Sequence, residues 1–321
     1  MNFFKSIPLG VSGVALACAG LGNLIAYQGG LVSEPASKYL RYGLGFIALF
    51  ALVLLVARII ADPHGVIKDL ESPVVLSMMP ASTMATILLT IYLIPYAPVV
   101  AKIIWGAAAV IQVCIMAVFA VRHVLDFQLV KVYPSWFVAT VGIQAIAIAS
   151  PYMGALPVGQ AAFWLGFMSY FCVLALVIIR YVKHRPLPEK YRPTIMVLTA
   201  PIGICIVGYV SVFPQPNVTL LSFMMIVGAF SYLIALVALP GLIRLPFYPS
   251  HAALGFPMVV SAFAFKRGGE ILITQGYLAG IAAKIMTAIV YIAELFAIVI
   301  VCFVIARYTN YLYTQLRKGL S

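Results

Sequence analysis

The sequence predicts an all-α integral membrane protein with ten transmembrane helices. Apolar residues make up 64% of its 321 residues and charged residues only 9%, and the mean hydropathy is +1.11. Soluble domains carry roughly 25% charged residues, so this chain lacks the polar surface of a soluble enzyme. The same composition excludes a disordered chain and a disulfide scaffold. We expect residues 1–321 to form a single transmembrane domain.

Ten apolar runs account for most of the chain, and each is expected to be helical because backbone groups in lipid must bond internally. A spanning helix needs about 20 apolar residues. The predicted spans, numbered one to ten in chain order, are residues 7–27, 39–61, 73–94, 98–122, 135–153, 157–181, 193–213, 218–243, 247–265 and 281–306. Span nine is the shortest, because its continuous apolar core ends at Lys266 and Arg267.

The basic residues predict how the spans are oriented in the bilayer. Of the 20 Lys and Arg residues, 14 lie at the termini or in loops that follow even spans, and six lie on the opposite side. Because cytoplasmic loops carry the excess of Lys and Arg, both termini are predicted to be cytoplasmic. Orientation also explains the net charge of +12, and we predict no nucleic-acid binding. All four His residues fall on the cytoplasmic side, where we expect solvated loop positions.

Odd and even spans differ in kind. Three odd spans carry a proline inside the apolar run, at Pro80, Pro201 and Pro257, each seven or eight residues after another proline at the cytoplasmic start. Span five has Gly142 at the equivalent place, and span one has Gly13. A proline inside a helix removes one N–H and clashes with the carbonyl one turn earlier. The pattern is a weak internal repeat of one broken and one smooth helix.

The broken helices have two possible interpretations. The carbonyl that a proline frees, such as that of Leu76 in span three, can line a water-filled cavity or can be satisfied by a neighbouring helix. A matched series of breaks in alternate spans favours the first interpretation. It predicts a central pathway surrounded by five kinked odd helices, with the five smooth even helices outside.

The predicted lining of this pathway is uncharged. Within the limits given above, the odd spans contain small hydroxyls and the amide of Gln144, but no charged residue. The acidic ring that is typical of cation pores is therefore missing. Basic residues between Arg180 and Arg192 add positive charge at the inner mouth, and Lys266 and Arg267 add it at the outer mouth, so an anion pathway is favoured. Glu294 is the one acid deep in any span. It is interpreted either as a coupling or gating carboxylate, or as a paired or protonated group.

One segment of span nine places a bulky ring at a helix break. Gly255 and Pro257 flank Phe256, which could project into the pathway as an apolar plug, since hydrophobic constrictions gate by dewetting. Ordinary packing of this ring is the alternative.

Short motifs in all five odd spans resemble those of a known family. They are Pro8-x-Gly10-x-x-Gly13, Ser72-Pro73 with Pro80-x-x-Thr83-Met84, Tyr133-Pro134-Ser135, Arg192 with Ala200-Pro201, and Gly255-Phe256-Pro257 with Ser261-Ala262. The order and spacing of these motifs resemble those of the tellurite-resistance/dicarboxylate transporter family, which includes bacterial TehA and the plant slow anion channels. The resemblance implies five helical hairpins with quasi-fivefold symmetry around a central pore, usually in a homotrimer.

The resemblance also implies a function and a set of site residues. It implies an anion channel that is occluded by a phenylalanine of the ninth helix, here Phe256. We expect Gly13, Pro80, Gly142, Pro201 and Pro257 to shape the pore by setting kinks, and small anions to be the permeating species. A multi-pass location in the bacterial inner membrane is expected. Span five lacks the Asn-rich stretch of many relatives, so the preferred ion is not carried over.

Two other function classes stay in view. A secondary carrier of C4-dicarboxylates or a related oxyanion such as tellurite or sulfite, with or without H⁺ coupling, would need a cation or a protonatable group at mid-membrane, and the odd spans offer none. A membrane enzyme would need His, Asp, Glu or Cys clustered at one depth. The five cysteines show no CxxC or CxH spacing, so neither a metal nor a cofactor is predicted.

Overall fold

The computed structural model describes residues 2–27, 32–184 and 186–320, and all regular secondary structure in this part of the chain is helical, with no β-strand. Arg185, one of the predicted cytoplasmic basic residues, lies outside these ranges. The described residues contain eight segments long and apolar enough to cross a bilayer: Glu34–Ala61, Pro73–Leu93, Pro98–Val124, Trp136–Met153, Leu156–Lys183, Glu189–Val212, Val218–Ile243 and Gly280–Lys318. The predicted all-α membrane class is confirmed, while the count of ten spans stays a prediction.

The segments that correspond to spans one and nine are the two outside this set. Span one is the shorter apolar helix Val11–Ala26, which follows a short helix at Asn2–Lys5. Span nine is the 3₁₀ segment Pro249–Leu254 followed by the helix Gly255–Thr274, which we call the ninth helix. Its 20 residues include three charged side chains.

The predicted end of span nine at residue 265 was wrong. The ninth helix continues through Lys266 and Arg267 to Thr274, because both are good helix formers and charge alone does not end a helix. It ends before Gly276, whose φ of 79° is the left-handed conformation that closes many helices. Two charges that we expected in a loop are therefore part of the helix.

The odd spans form a closed ring. Each odd span contacts the next one along the chain, and the ninth contacts the first. Each even span packs on the odd span before it and also reaches the odd span after it or, for span ten, the first span. The apolar stretches of spans three, five and seven are 72–83% buried, whereas those of the even spans are only 22–39% buried. The predicted arrangement, with odd spans inside and even spans outside, is confirmed.

Four odd spans are interrupted next to the residues that we singled out. Each interruption separates two helical pieces: Pro73–Met78 from Pro80–Leu93, Trp136–Val141 from Gln144–Met153, Glu189–Leu198 from Ala200–Val212, and Pro249–Leu254 from Gly255–Thr274. Pro80 and Pro201 lie in the first turn of the second piece, where a missing N–H costs no hydrogen bond. Gly13 differs, because it lies inside the continuous helix Val11–Ala26.

The carbonyl of Leu76 is not free, contrary to expectation. It accepts a hydrogen bond from the backbone N–H of Met79 at 3.2 Å, as in a 3₁₀ turn. The break is tied to span five by the hydroxyl of Ser77, which donates to Ser135 at 2.7 Å. The chain therefore satisfies this break without water.

Gln144 also points away from the centre of the ring. Its side-chain amide donates to the carbonyl of Phe163 in span six at 2.9 Å. Gly166 and Gly208 leave the space for it, since a Cβ at either residue would lie within 2.8 Å of a Gln144 side-chain atom. The one amide that we expected in the lining is instead a packing contact among spans five, six and seven.

The last helix, Gly280–Leu320, has 41 residues and extends past the predicted end at residue 306. Its length of about 62 Å exceeds the bilayer core of about 30 Å. Beyond that end, Arg307 donates to the carbonyls of Ile243 and Leu245, and the hydroxyl of Tyr308 donates to the carbonyl of Pro249. The last helix thus supports the start of span nine.

Two histidines are buried, which corrects the expectation of four solvated loop positions. His251 is fully buried and His123 is 8% exposed. His251 belongs to the 3₁₀ segment that starts span nine, where its ring centroid lies 6.0 Å from that of Phe247 and 6.5 Å from that of Phe303. This 3₁₀ segment packs against the last helix, and the side chains of its residues 250–254 are buried. His64 and His184 are exposed, as expected.

Candidate permeation pathway

Two cavities open at opposite ends of the odd spans, and we name them by the predicted orientation. The outer cavity has a volume of about 240 Å³ and the inner cavity one of about 300 Å³. The outer one is bounded by spans one, two, three, five and nine, and the inner one mainly by the cytoplasmic starts of spans one, three, seven and nine. Both cavities therefore lie along the inside of the ring.

Phe256 lies on span nine between these two cavities. Its side chain is in the wall of the outer cavity, whereas Pro249 and Ser250, one to two turns earlier, line the inner cavity. The ring packs against span one at Gly20, where a Cβ would lie 3.1 Å from the Cε2 atom of Phe256. A side chain larger than hydrogen at position 20 would press on the ring.

One face of the ninth helix forms much of the outer cavity wall. Phe256, Val259, Val260, Phe263 and Arg267 all line the cavity. Their spacing of three or four residues places them on one side of an α-helix. The wall is therefore apolar near Phe256 and positively charged three turns farther out.

Two arginines contribute the charge of the outer cavity. Arg267 donates to the hydroxyl of Ser211 at 2.9 Å and lies over the ring of Tyr27, 5.3 Å from its centroid. Arg41 donates to the carbonyl of Ile91 at 3.2 Å, and its guanidinium is 4.5 Å from the Tyr92 ring centroid. Among the described residues, neither forms a salt bridge with a carboxylate. Both guanidiniums are held by neutral partners. The carboxylate of Glu270 accepts a hydrogen bond from the Tyr27 hydroxyl at 2.8 Å and offsets part of the charge of Arg267.

These arginines correct the expectation of an uncharged lining. Arg267 was assigned to a loop because the helix was predicted to end at residue 265. Arg41 was passed over because it lies at the start of an even span, and even spans were expected to face lipid. One feature of the sequence could have indicated a shared site: Arg41 and Arg267 both lie toward the predicted outer ends of their spans, at similar depth.

The inner cavity carries charges of both signs. Lys190 and Asp69 both line it, together with residues at the starts of spans one and nine. Asp69 accepts a hydrogen bond from Arg58 at 3.3 Å, and Arg58 also binds Asp62 at 2.5 Å. The Arg58 guanidinium and the Gly65 amide hold the pKa of the Asp62 carboxyl below its usual value. This end of the pathway is consequently less strongly positive than the outer end.

The predicted kink residues do not line either cavity in the described part of the chain. Gly13 packs against Ala252, since a Cβ at Gly13 would lie 2.8 Å from that of Ala252. Gly142 lies against span three, where a Cβ would be 2.8 Å from the sulfur of Met84. Pro257 directly follows Phe256 near the start of the ninth helix. The five residues therefore do not line the cavities, and their role in setting the kinks stays a prediction.

Glu294 is paired with Lys266. The carboxylate oxygen is 2.8 Å from the ammonium nitrogen, and both side chains are about 5–6% exposed. Of the two interpretations open from the sequence, the pairing of Glu294 with another helix is therefore the observed one. The sequence could not give this partner, because Lys266 was assigned to a loop.

Comparison with known proteins identifies the family. A family model described as "Voltage-dependent anion channel" matches residues 3–307. An uncharacterized transporter of Methanocaldococcus jannaschii is 27% identical over 258 residues, which cover 74% of this chain and 75% of that protein. A second uncharacterized transporter of that organism is 25% identical over 260 residues, 74% of each chain. With a match over nearly its whole length and a helical structure made of apolar spans, the chain is a multi-pass membrane protein that belongs to the voltage-dependent anion channel family.

Proposed function

We propose that the protein is a passive channel for small anions, with a pathway inside the ring of odd spans and Phe256 as its gate. The observation that carries this proposal is the position of the Phe256 side chain between the outer and the inner cavity, which open at opposite ends of the odd spans. Gly20 of span one lies against the Phe256 side chain and has no side chain of its own that could hold the passage open or closed. Movement of one aromatic ring can then control the passage.

The charge of the outer cavity supports anions as the permeating species. Arg41 and Arg267 lie on its wall, and the lining includes no Asp or Glu among the described residues. Positively charged side chains are typical of anion pores, and acidic rings of cation pores. An anion that enters from this side meets two guanidiniums before it reaches the apolar zone around Phe256.

The gate is tested by removing the ring. Phe256→Ala is expected to produce a constitutive anion conductance roughly tenfold or more above that of the unsubstituted protein, because loss of an apolar constriction removes a dewetting barrier of more than about 1.4 kcal/mol. The measurement is current across planar bilayers or flux from liposomes containing the purified protein. Bi-ionic reversal potentials for chloride, nitrate, sulfite and malate then rank the permeating anions.

Phe265→Ala is the matched control. Phe265 is also a buried phenylalanine of the ninth helix, but its ring packs on Tyr232 of span eight, 5.4 Å between centroids, and does not line the outer cavity. We expect its conductance to match that of the unsubstituted protein. An unchanged current for well-inserted Phe256→Ala protein would show that Phe256 is not the gate.

A carrier of C4-dicarboxylates or of a related oxyanion such as tellurite or sulfite is the second candidate. Arg41 and Arg267 favour it, because they supply the substrate-binding cation that the predicted lining lacked. A carrier coupled to H⁺ would show uptake that depends on a pH gradient and loses this dependence in Glu294→Gln. A conductance that greatly exceeds carrier turnover in Phe256→Ala favours the channel.

We further propose a homotrimer in the bacterial inner membrane. Large apolar side chains on the even spans, including Phe46 at 72% exposed and Val237 at 84%, support contact with lipid or with a second subunit. The mass of the purified protein in detergent, after subtraction of the bound detergent, tests the number of subunits.

A further inference from the structure

A buried ion pair joins the ninth helix to two other helices. The ammonium of Lys266 lies 2.8 Å from a carboxylate oxygen of Glu294 in the last helix. The same ammonium donates to the backbone carbonyl of Tyr27, at the end of span one, at 3.1 Å. Lys266 therefore connects the helix that carries Phe256 to span one and span ten at a single point.

This ion pair fixes the relative position of two helices more than it stabilises the fold. A buried ion pair adds little net stability compared with apolar residues of the same size, and ionised side chains within a membrane are costly and mostly functional. Their attraction, however, changes steeply with distance in a medium of low dielectric constant. A pair of this kind holds two helices in one relative position and resists small displacements.

The pair lies on the same rigid helix as Phe256 but faces another direction. Lys266 is ten residues after Phe256, which corresponds to about 15 Å along the axis and about 80° around it. Phe256 therefore faces the outer cavity while Lys266 faces the last helix. A rotation or axial shift of the ninth helix that withdraws the ring must separate Lys266 from Glu294 or move the last helix with it.

The surroundings of the pair leave room for such a separation. A cavity of about 430 Å³ lies between the ninth and last helices, and Lys266, Gly269 and Met286 line it. The two helices touch closely at Gly269, where a Cβ would lie 2.8 Å from side-chain atoms of Met286. The ammonium can thus leave Glu294 toward an existing space, while Gly269 provides a close contact about which the helices can shift.

We propose that Lys266 and Glu294 form a latch that holds the ninth helix in the position in which Phe256 closes the pathway. They are positioning residues, because neither is expected to contact the permeating ion. The proposal rests on the proposed role of Phe256 as the gate, and it predicts that loss of either charge favours the open position of the ninth helix.

Conductance of charge-neutral variants tests the latch. Lys266→Met and Glu294→Gln are each expected to raise the conductance about threefold or more by shifting the population toward the open position. Lys266→Arg keeps the positive charge and is expected to remain closed. Glu34→Gln, which removes an exposed acid at the start of span two, is the neutralisation control and is expected to behave like the unsubstituted protein.

The same substitutions in a Phe256→Ala background separate a latch from a merely structural role. Without the ring there is no gate to position, so Glu294→Gln is expected to leave the conductance of Phe256→Ala within about twofold. A substitution that only reduces the amount of folded protein would lower the current in both backgrounds. Current is therefore normalised to the monodisperse protein recovered from the same liposomes.

Each outcome decides one of the two proposals. If Phe256→Ala conducts but Glu294→Gln and Lys266→Met remain as closed as the unsubstituted protein, the latch is wrong and the gate stands. If Phe256→Ala itself does not conduct, the gate is wrong. Should a single variant fail to fold because one charge is left unpaired, the double variant Lys266→Met/Glu294→Gln replaces it. A closed double variant would overturn the latch.

Discussion

Among individual residues, Arg267 is the one that we expect to govern the choice between anions and cations. Arg267→Gln removes the positive charge from the outer cavity wall but keeps a donor for the hydroxyl of Ser211. Measured in the Phe256→Ala background, the ratio of chloride to potassium permeability is expected to fall about threefold or more, because a full charge close to the pathway changes the local ion concentration. The reversal potential in a KCl gradient measures this ratio.

Lys102→Gln is the matched control for that experiment. Lys102 is also an outer-side cation by the predicted orientation, but it is exposed on span four and does not line the cavity. We expect its reversal potential to equal that of Phe256→Ala alone. Equal reversal potentials for Arg267→Gln and Lys102→Gln would mean that the outer cavity does not select the ion.

Single residues were predictable to different extents. The Gly-Phe-Pro sequence drew attention to Phe256, because Gly and Pro mark a break in the helix on either side of the ring. Ordinary packing stayed an alternative, and the role of a gate was implied by the family resemblance. Arg41, Lys266 and Glu294 could not be placed, since their roles depend on which helix faces which neighbour. In addition, the charge of Lys266 was interpreted as the end of a membrane helix, although a buried partner allows the helix to continue.

At the level of elements, the contact between span one and the start of span nine determines where Phe256 lies. Gly13 packs on Ala252, four residues before Phe256, and a Cβ at Gly13 would overlap that of Ala252. We expect Gly13→Val to lower the free energy of unfolding by about 1–3 kcal/mol, because both atoms are fixed by backbone and the contact cannot relax cheaply. Thermal unfolding in detergent measures this loss.

Gly43→Val is the control for helix propensity. Gly43 also lies in a helix, in span two, but a Cβ there meets nothing within 4 Å. The same replacement of Gly by Val at this position is expected to leave the unfolding temperature unchanged or raised, since Val is the better helix former. If Gly13→Val unfolds at the same temperature as Gly43→Val, the close packing at Gly13 does not matter to stability.

The breaks themselves were predictable from the sequence, but their consequences were not. Prolines at matched positions predicted the interruptions in spans three, seven and nine, because proline cannot continue the hydrogen-bond pattern of a helix. Whether a freed carbonyl faces a pathway or finds a donor depends on the local turn, and at Leu76 a 3₁₀ bond satisfies it. The role of Gly13 could not be predicted either, because a glycine can mark a close contact between helices as well as a helix break.

For the whole molecule, the alternation of broken and smooth spans along the chain corresponds to an inner and an outer layer of helices. The sequence contained this alternation as one broken and one smooth helix per repeat, and the structure closes it into a ring of odd spans. The closure depends on contacts between residues far apart in the sequence, most clearly between spans nine and one. Such contacts leave no periodic signal in a single sequence, so the two cavities and their arginines emerged only from the structure.

Orientation in the membrane is the property of the whole molecule that fixes which cavity faces outward. Lys68 and Gln275 are exposed and lie in connecting segments at opposite ends of the spans. Lys68 belongs to the short helix Pro63–Asp69 that follows span two, and Gln275 directly follows the ninth helix. With both termini cytoplasmic, Gln275→Cys is expected to react with a membrane-impermeant maleimide in intact cells, and Lys68→Cys only after permeabilisation. The unsubstituted protein is the blank, because its cysteines are buried or lie within the helices of the spans. The reverse labelling pattern would place the arginine-lined cavity on the cytoplasmic side, so that anions would meet the guanidiniums on their way out of the cell.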